Sequence, residues 1–168
     1  MFRRTNLESN AIIGYRKNHR AALLPVDLPT PEESFFVNWA RLDAALKEKS
    51  PRYRDFAALD ESRIRTRGFT YLNSELCDRH WESVDEVMGS EIESLDHPEF
   101  AATYRTWLEH NERREDAMLK NVDRYCSHFA FSKPAFLVGA AHRRSLISRS
   151  TGESRPTEVK IGWVLPTL

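Results

Sequence analysis

The chain has 168 residues, enough for one domain with a substantial core. It carries 25 Lys+Arg against 25 Asp+Glu, and this zero formal net charge argues against nucleic acid as a partner and against a basic membrane binder, because both depend on excess positive charge. With 40% hydrophobic and 30% charged residues it reads as one soluble globular domain over 1–168, too apolar for disorder and without the run of about 20 apolar residues that a membrane span needs.

Met1 to Asn6 holds basic residues with no apolar stretch behind them, so no secretory signal is expected. Residues 8–22 read as a helix with Ala11, Ile12, Ile13 and Tyr15 on one face. Ala21 to Leu28 is a short apolar run punctuated by Pro25 and Pro29, which predicts a strand ending near Asp27. A carboxylate at the carboxyl end of a strand is where α/β sheets place ligands. Thr30-Pro31-Glu32-Glu33 reads as a helix start, with Phe35, Phe36, Trp39, Leu42 and Leu46 as the buried face and Ser50-Pro51 as the stop. Tyr53 to Leu59 fits a short helix. Arg63, Arg65 and Arg67 form a local basic run ending at Gly68, and a solvated segment paired with nearby acids accounts for them better than a phosphate site.

Asn73 or Ser74 caps a helix that runs to about Met88, with Leu76, His80, Trp81 and Val84 inward. Ser94 to Pro98 is a turn. Glu99 to about Phe129 reads as one long helix or two. Ala135–Val138 is a second short buried strand, Arg143–Ser148 a short helix, Arg149–Pro156 a polar loop, and Val159–Leu165 a last alternating strand. The fold class expected is therefore α/β: a small sheet built from both chain ends, with a large helical insertion over about 30–130 and the strand and histidine turn over about 131–148.

Two stretches carry chemistry. The first is Gly139-Ala140-Ala141-His142 at the end of the second apolar run. Gly139 permits a positive φ or a close backbone approach, the two alanines leave room beside the ring, and His142 offers a general base or a metal ligand near neutral pH. A structural histidine capping the next helix is the bland alternative. The second is the helix face formed by Arg114, Met118 and Asn121 at i, i+4 and i+7. A cation, a thioether and an amide on one stripe suit a helix edge beside a polar cleft, where Arg114 meets a carboxylate or an oxyanion. The competing reading is a solvated ion-pair helix, given Glu112, Arg113, Glu115 and Asp116 around it. Cys77-x-x-His80 and Cys126-x-His128 do not make a convincing zinc site, because the second spacing is too tight; free thiols and a cytoplasmic location are the expectation.

Arg114-Glu115-Asp116-Ala117-Met118-Leu119-Lys120-Asn121, followed by Gly139-Ala140-Ala141-His142, resembles the R-[DE]-x-x-M-x-x-N helix and the G-x-x-H strand end of the TraB / ChaN / erythromycin-esterase superfamily. The resemblance covers about 112–147 sharply and 11–35 loosely. It implies an α/β core with a helical insert and a cleft built from two halves. It implies hydrolysis of a small-molecule or peptide substrate, with His142 as base or as ligand of a divalent metal, Arg114 as cleft cation and Asp27 beside them. One branch of the superfamily is linked to haem. The first histidine motif of that family has no counterpart before Asp27, so a homo-oligomer or a partner chain is expected to complete the site. The alternative function is a non-catalytic binding or interaction protein that keeps the fold.

Overall fold

The computed structural model describes residues 13–14, 16–18, 22–130 and 134–151. Among the described residues five helices carry the fold from residue 33 on: α1 (Glu33–Lys49), α2 (Pro51–Leu72), α3 (Glu75–Ser94), α4 (Pro98–His128) and α5 (Arg143–Thr151), with a 3-10 turn at Ala140–His142 leading into α5. None of the helices is long and apolar enough to cross a membrane among the described residues.

The α/β expectation is overturned: no strand occurs among the described residues, and the architecture is a helical bundle. Residues 22–28 and 134–139 do run as non-helical connections. Phe136 and Val138 turn inward while Leu137 is 71% exposed, so the alternation of a pleat is present. What is missing is the ladder. The carbonyls of Pro25 and Val26 accept hydrogen bonds from Tyr125 and Asn121 side chains on α4, not from another strand. Side-chain partners thus satisfy backbone groups that a sheet would have paired. The strand expected over 159–165 lies outside the described residues, as does the polar loop beyond 151. Of the expected first helix, Ile13, Gly14 and residues 16–18 are helical, Ala22 is not, and the rest lies outside the described residues.

Local signals set most helix boundaries. Ser50 closes α1 through its backbone N–H and opens α2 by accepting from the Tyr53 N–H at 3.0 Å, with Pro51 in the first turn. Ser74 caps α3, accepting from the Cys77 N–H at 3.3 Å. Helix α1 begins later than Thr30 would have it: Glu32 stands at its N-cap, with no side-chain cap bond. The short helix expected at Tyr53–Leu59 belongs to a longer one of 22 residues, kinked at Gly68, whose φ of 51° and ψ of −130° favour glycine. The basic run lies here: Arg65 pairs with Glu61 at 2.6 Å and Arg63 sits over the Tyr71 ring.

The main core joins α1, α2 and α3 through Leu42, Leu46, Tyr53, Val84, Val87, Met88 and Ile92. Helix α4, 31 residues and so about 46 Å long, bridges this core to a second one. Near its start, Trp107 stacks on Trp39 of α1 at 4.6 Å. Farther along, Met118 and Leu119 pack with Leu146 of α5, and Val26, Phe136 and Val138 cover them. The second cluster carries the candidate site.

Candidate functional site

The stripe on α4 extends by one member. Arg114, Met118, Asn121 and Tyr125 fall at i, i+4, i+7 and i+11, so they share one helix face. The segment 25–27 lies along that face. Tyr125 donates to the Pro25 carbonyl at 3.1 Å, and Asn121 Nδ2 donates to the Val26 carbonyl at 2.9 Å. Arg114 then grips Asp27, with Nε 3.0 Å from Oδ1 and the NH2 nitrogen 2.6 Å from Oδ2. Met118, only 3% exposed, fills the middle of the seam beneath Val26. Burial raises the Asp27 carboxyl, but hydrogen bonds from Arg114 and the Leu28 N–H, with the charges of Arg114 and His142, bring it below its ordinary value. The hydrogen bond to Asp27 pushes Arg114 up. In this geometry Arg114 is a bidentate clamp on the 25–27 segment, and its charge is already met.

His142 sits in the 3-10 turn, its backbone N–H donating to the Gly139 carbonyl at 3.0 Å. Gly139 has a φ of −62°, so no left-handed conformation demands glycine there; an added Cβ would meet only His142 Cδ2, at 3.9 Å. The ring is anchored by Glu115 of α4, whose Oε1 lies 2.8 Å from Nδ1. The other carboxylate oxygen accepts from Ser145 Oγ at 2.5 Å. Arg149 reaches the same group, with Nε 3.2 Å from Ser145 Oγ and 3.6 Å from Glu115 Oε2. It is held from outside by Asp116 and Glu112. Burial raises the Glu115 carboxyl, yet the hydrogen bonds from His142 and Ser145 and the charges of His142 and Arg149 outweigh it and lower the value below 4.5.

The 2.8 Å contact with this carboxylate sets the tautomer. An ionised carboxylate only accepts, so Nδ1 must carry the hydrogen that it shares with Glu115. In the neutral ring the lone pair is then on Nε2, which has no hydrogen-bond partner among the described residues. The arrangement is that of a carboxylate-oriented histidine, able to take a proton or to present one nitrogen to an electrophile.

The structure brings Asp27, Arg114, Met118, Asn121 and His142, the residues singled out from the sequence, to one end of the molecule, but in two units. Asp27, Arg114, Met118 and Asn121 form the seam, and His142 forms a dyad with Glu115. Neighbouring positions 114 and 115 on α4 join the units, and the His142 charge is felt at Asp27. A groove of about 370 Å³ lies beside the turn, walled by Trp81, Glu82, Asp85, Ala140, Ala141 and Ser145; neither His142 nor Arg114 lines it.

A metal centre does not fit these residues. Among the described residues no three of His, Cys, Asp and Glu converge to hold an ion, and His142 alone is short of the three or four ligands that such sites use. The zinc set weighed from the sequence is dispersed: Cys77 is buried in α3, His80 Nε2 lies 3.6 Å from Asp60, and His128 Nδ1 donates to the Arg124 carbonyl at 2.7 Å.

Sequence reasoning missed Glu115, Ser145 and Tyr125 as site residues. Each had a signal. Glu115 is the acidic position of the helix motif, Ser145 follows His142 by three residues and so shares its side of the turn, and Tyr125 extends the stripe from Asn121 by four. Compared with known proteins, this chain matches no family model, no curated protein and no solved structure.

Proposed function

We propose that the chain carries the general base of a hydrolase-type site, His142 oriented by Glu115, in keeping with its resemblance to the TraB / ChaN / erythromycin-esterase superfamily. The observation that supports this most is the 2.8 Å contact from Nδ1 to a buried carboxylate, which puts the lone pair of the neutral ring on Nε2. Nε2 would take a proton from water as the oxygen attacks an ester or amide carbonyl, and Glu115 would stabilise the imidazolium that results. Arg114 enters this chemistry through Asp27, by fixing the segment that runs past the site, and not as a free oxyanion donor. The groups that bind the substrate belong to another surface, supplied by a second copy or a partner chain. The two unpaired thiols, Cys77 and Cys126, accord with a reducing, cytoplasmic setting.

The test is hydrolysis of a panel of activated esters and amides. His142→Ala should lower kcat/KM about 100- to 10,000-fold, and Glu115→Gln about 10- to 100-fold. His128→Ala, an exposed histidine on the far end of α4, serves as the comparison. Hydrolysis that survives His142→Ala at the level of His128→Ala ends the proposal.

The bidentate carboxylate contact at Arg114 supports a second reading, a binding protein whose ligand carboxylate takes the place of Asp27 on the guanidinium. Thermal stabilisation by small dicarboxylates in the parent chain, absent in Arg114→Met, would support it.

A further inference from the structure

The Glu115 carboxylate is shared, and the group on its other oxygen has no assigned role. Ser145 stands on the first turn of α5 and donates to Oε2 at 2.5 Å, while His142 holds Oε1. Arg149, one turn farther on, donates from Nε to Ser145 Oγ at 3.2 Å. Asp116 and Glu112 hold the same guanidinium against α4. The order of contacts is therefore Arg149 to Ser145, Ser145 to Glu115, and Glu115 to His142. It runs from the rim of α4 inward to a carboxylate whose side chain is 9% exposed.

Two roles for Ser145 can be weighed. As a nucleophile it would need Glu115 to act as its base. The contacts around Glu115 lower its pKa and make it a poorer base, and its lone pairs already face two donors. As a donor, Ser145 does something Glu115 requires. A carboxylate bonded at one oxygen only can rotate about its last bond, and the plane in which it meets His142 Nδ1 is then not fixed. A bond at each oxygen fixes that plane. We infer that Ser145, backed by Arg149, is a positioning residue that holds Glu115 in the orientation that keeps the His142 proton on Nδ1 and the lone pair on Nε2. The catalytic consequence rests on reading His142 as a base; the effect on the tautomer does not.

The experiment is nitrogen-15 NMR of the histidine rings in the full chain. In the parent, at a pH high enough for the ring to be neutral, His142 should show a protonated Nδ1 and an unprotonated Nε2. Ser145→Ala should draw the two nitrogen shifts together as the second tautomer becomes populated, and Ser145→Thr should restore the parent pattern. Arg149→Gln, which keeps the hydroxyl, provides the check if Ser145→Ala does not fold: a smaller movement in the same direction is expected. On the best ester of the panel, kcat should fall about 10- to 100-fold in Ser145→Ala with KM little changed. Nitrogen shifts that stay at parent values in Ser145→Ala and in Arg149→Gln overturn the inference. Shifts that move in a chain with no measurable hydrolysis leave the positioning role standing and remove the hydrolase reading instead.

Discussion

Replacing Glu115 by Gln keeps the shape of the side chain and removes its charge, so it measures what the charge contributes where it is buried. The parent carboxylate accepts from His142 and from Ser145, and hydrogen bonds to a charged group are worth about 1.5–3 kcal/mol each. The amide can turn its oxygen to Nδ1 and its nitrogen to Ser145 Oγ, keeping two neutral bonds of about 0.5–1.5 kcal/mol each. Against this, the parent bears the cost of desolvating an anion that is 9% exposed. The net loss expected on Glu115→Gln is about 2 kcal/mol, read as a lower urea midpoint with unchanged slope near about pH 7. The pH dependence has a defined sign. The folded-state value of Glu115 is depressed below 4.5, so its contribution is present above that pH and lost as pH falls through the folded value. The stability gap between parent and variant should therefore close on acidification. A variant as stable as the parent near neutral pH, or a gap that persists in acid, would refute the claim that an ionised Glu115 orients His142.

Two further predictions follow from contacts elsewhere. Asn121→Ala removes the bond to the Val26 carbonyl, at a cost of about 1 kcal/mol, and Asp27→Asn weakens a half-exposed clamp at about 0–1 kcal/mol with a salt-dependent part. In both, the Leu28 amide, now 2.8 Å from Asp27 Oδ1, should exchange with solvent faster while amides of α3 keep their protection; unchanged exchange at Leu28 would mean that the seam does not hold 22–28. His80 is 4% exposed, its Nδ1 has no partner among the described residues, and burial lowers it below 6.5 despite the attraction of Asp60. With the folded value below the unfolded one, the unfolded chain takes the proton first, so stability falls as pH drops through 6.5. His80→Leu should flatten that part of the profile, and an unaltered slope would assign it to other groups.

Most of the helices were legible because their signals are local, although the 22-residue α2 was expected only as a short helix. Ser50-Pro51 ends one helix and starts the next, Ser74 caps α3, and the apolar spacing along Leu42, Leu46, Val84 and Met88 matches the faces that the bundle buries. The stripe of Arg114, Met118 and Asn121 was legible for the same reason, since helical spacing alone puts those side chains on one face. Pairing was not legible. The runs ending at Asp27 and Val138 have the composition of strands, but a strand exists only when another backbone completes its ladder, and here α4 side chains take the carbonyls of the first run. For the same reason the sequence placed Arg114 against a carboxylate or an oxyanion without saying which, until the structure set Asp27, 87 positions away, against it. Glu115 was one acid among several in a charged run. Only the crossing of α5 over α4 placed it between His142 and Ser145, turning one surface-type residue into a buried anion that selects a histidine tautomer. Spacing along one chain decides which residues share a face; which faces meet, and so which charges are buried and paired, is decided by packing between segments far apart in sequence.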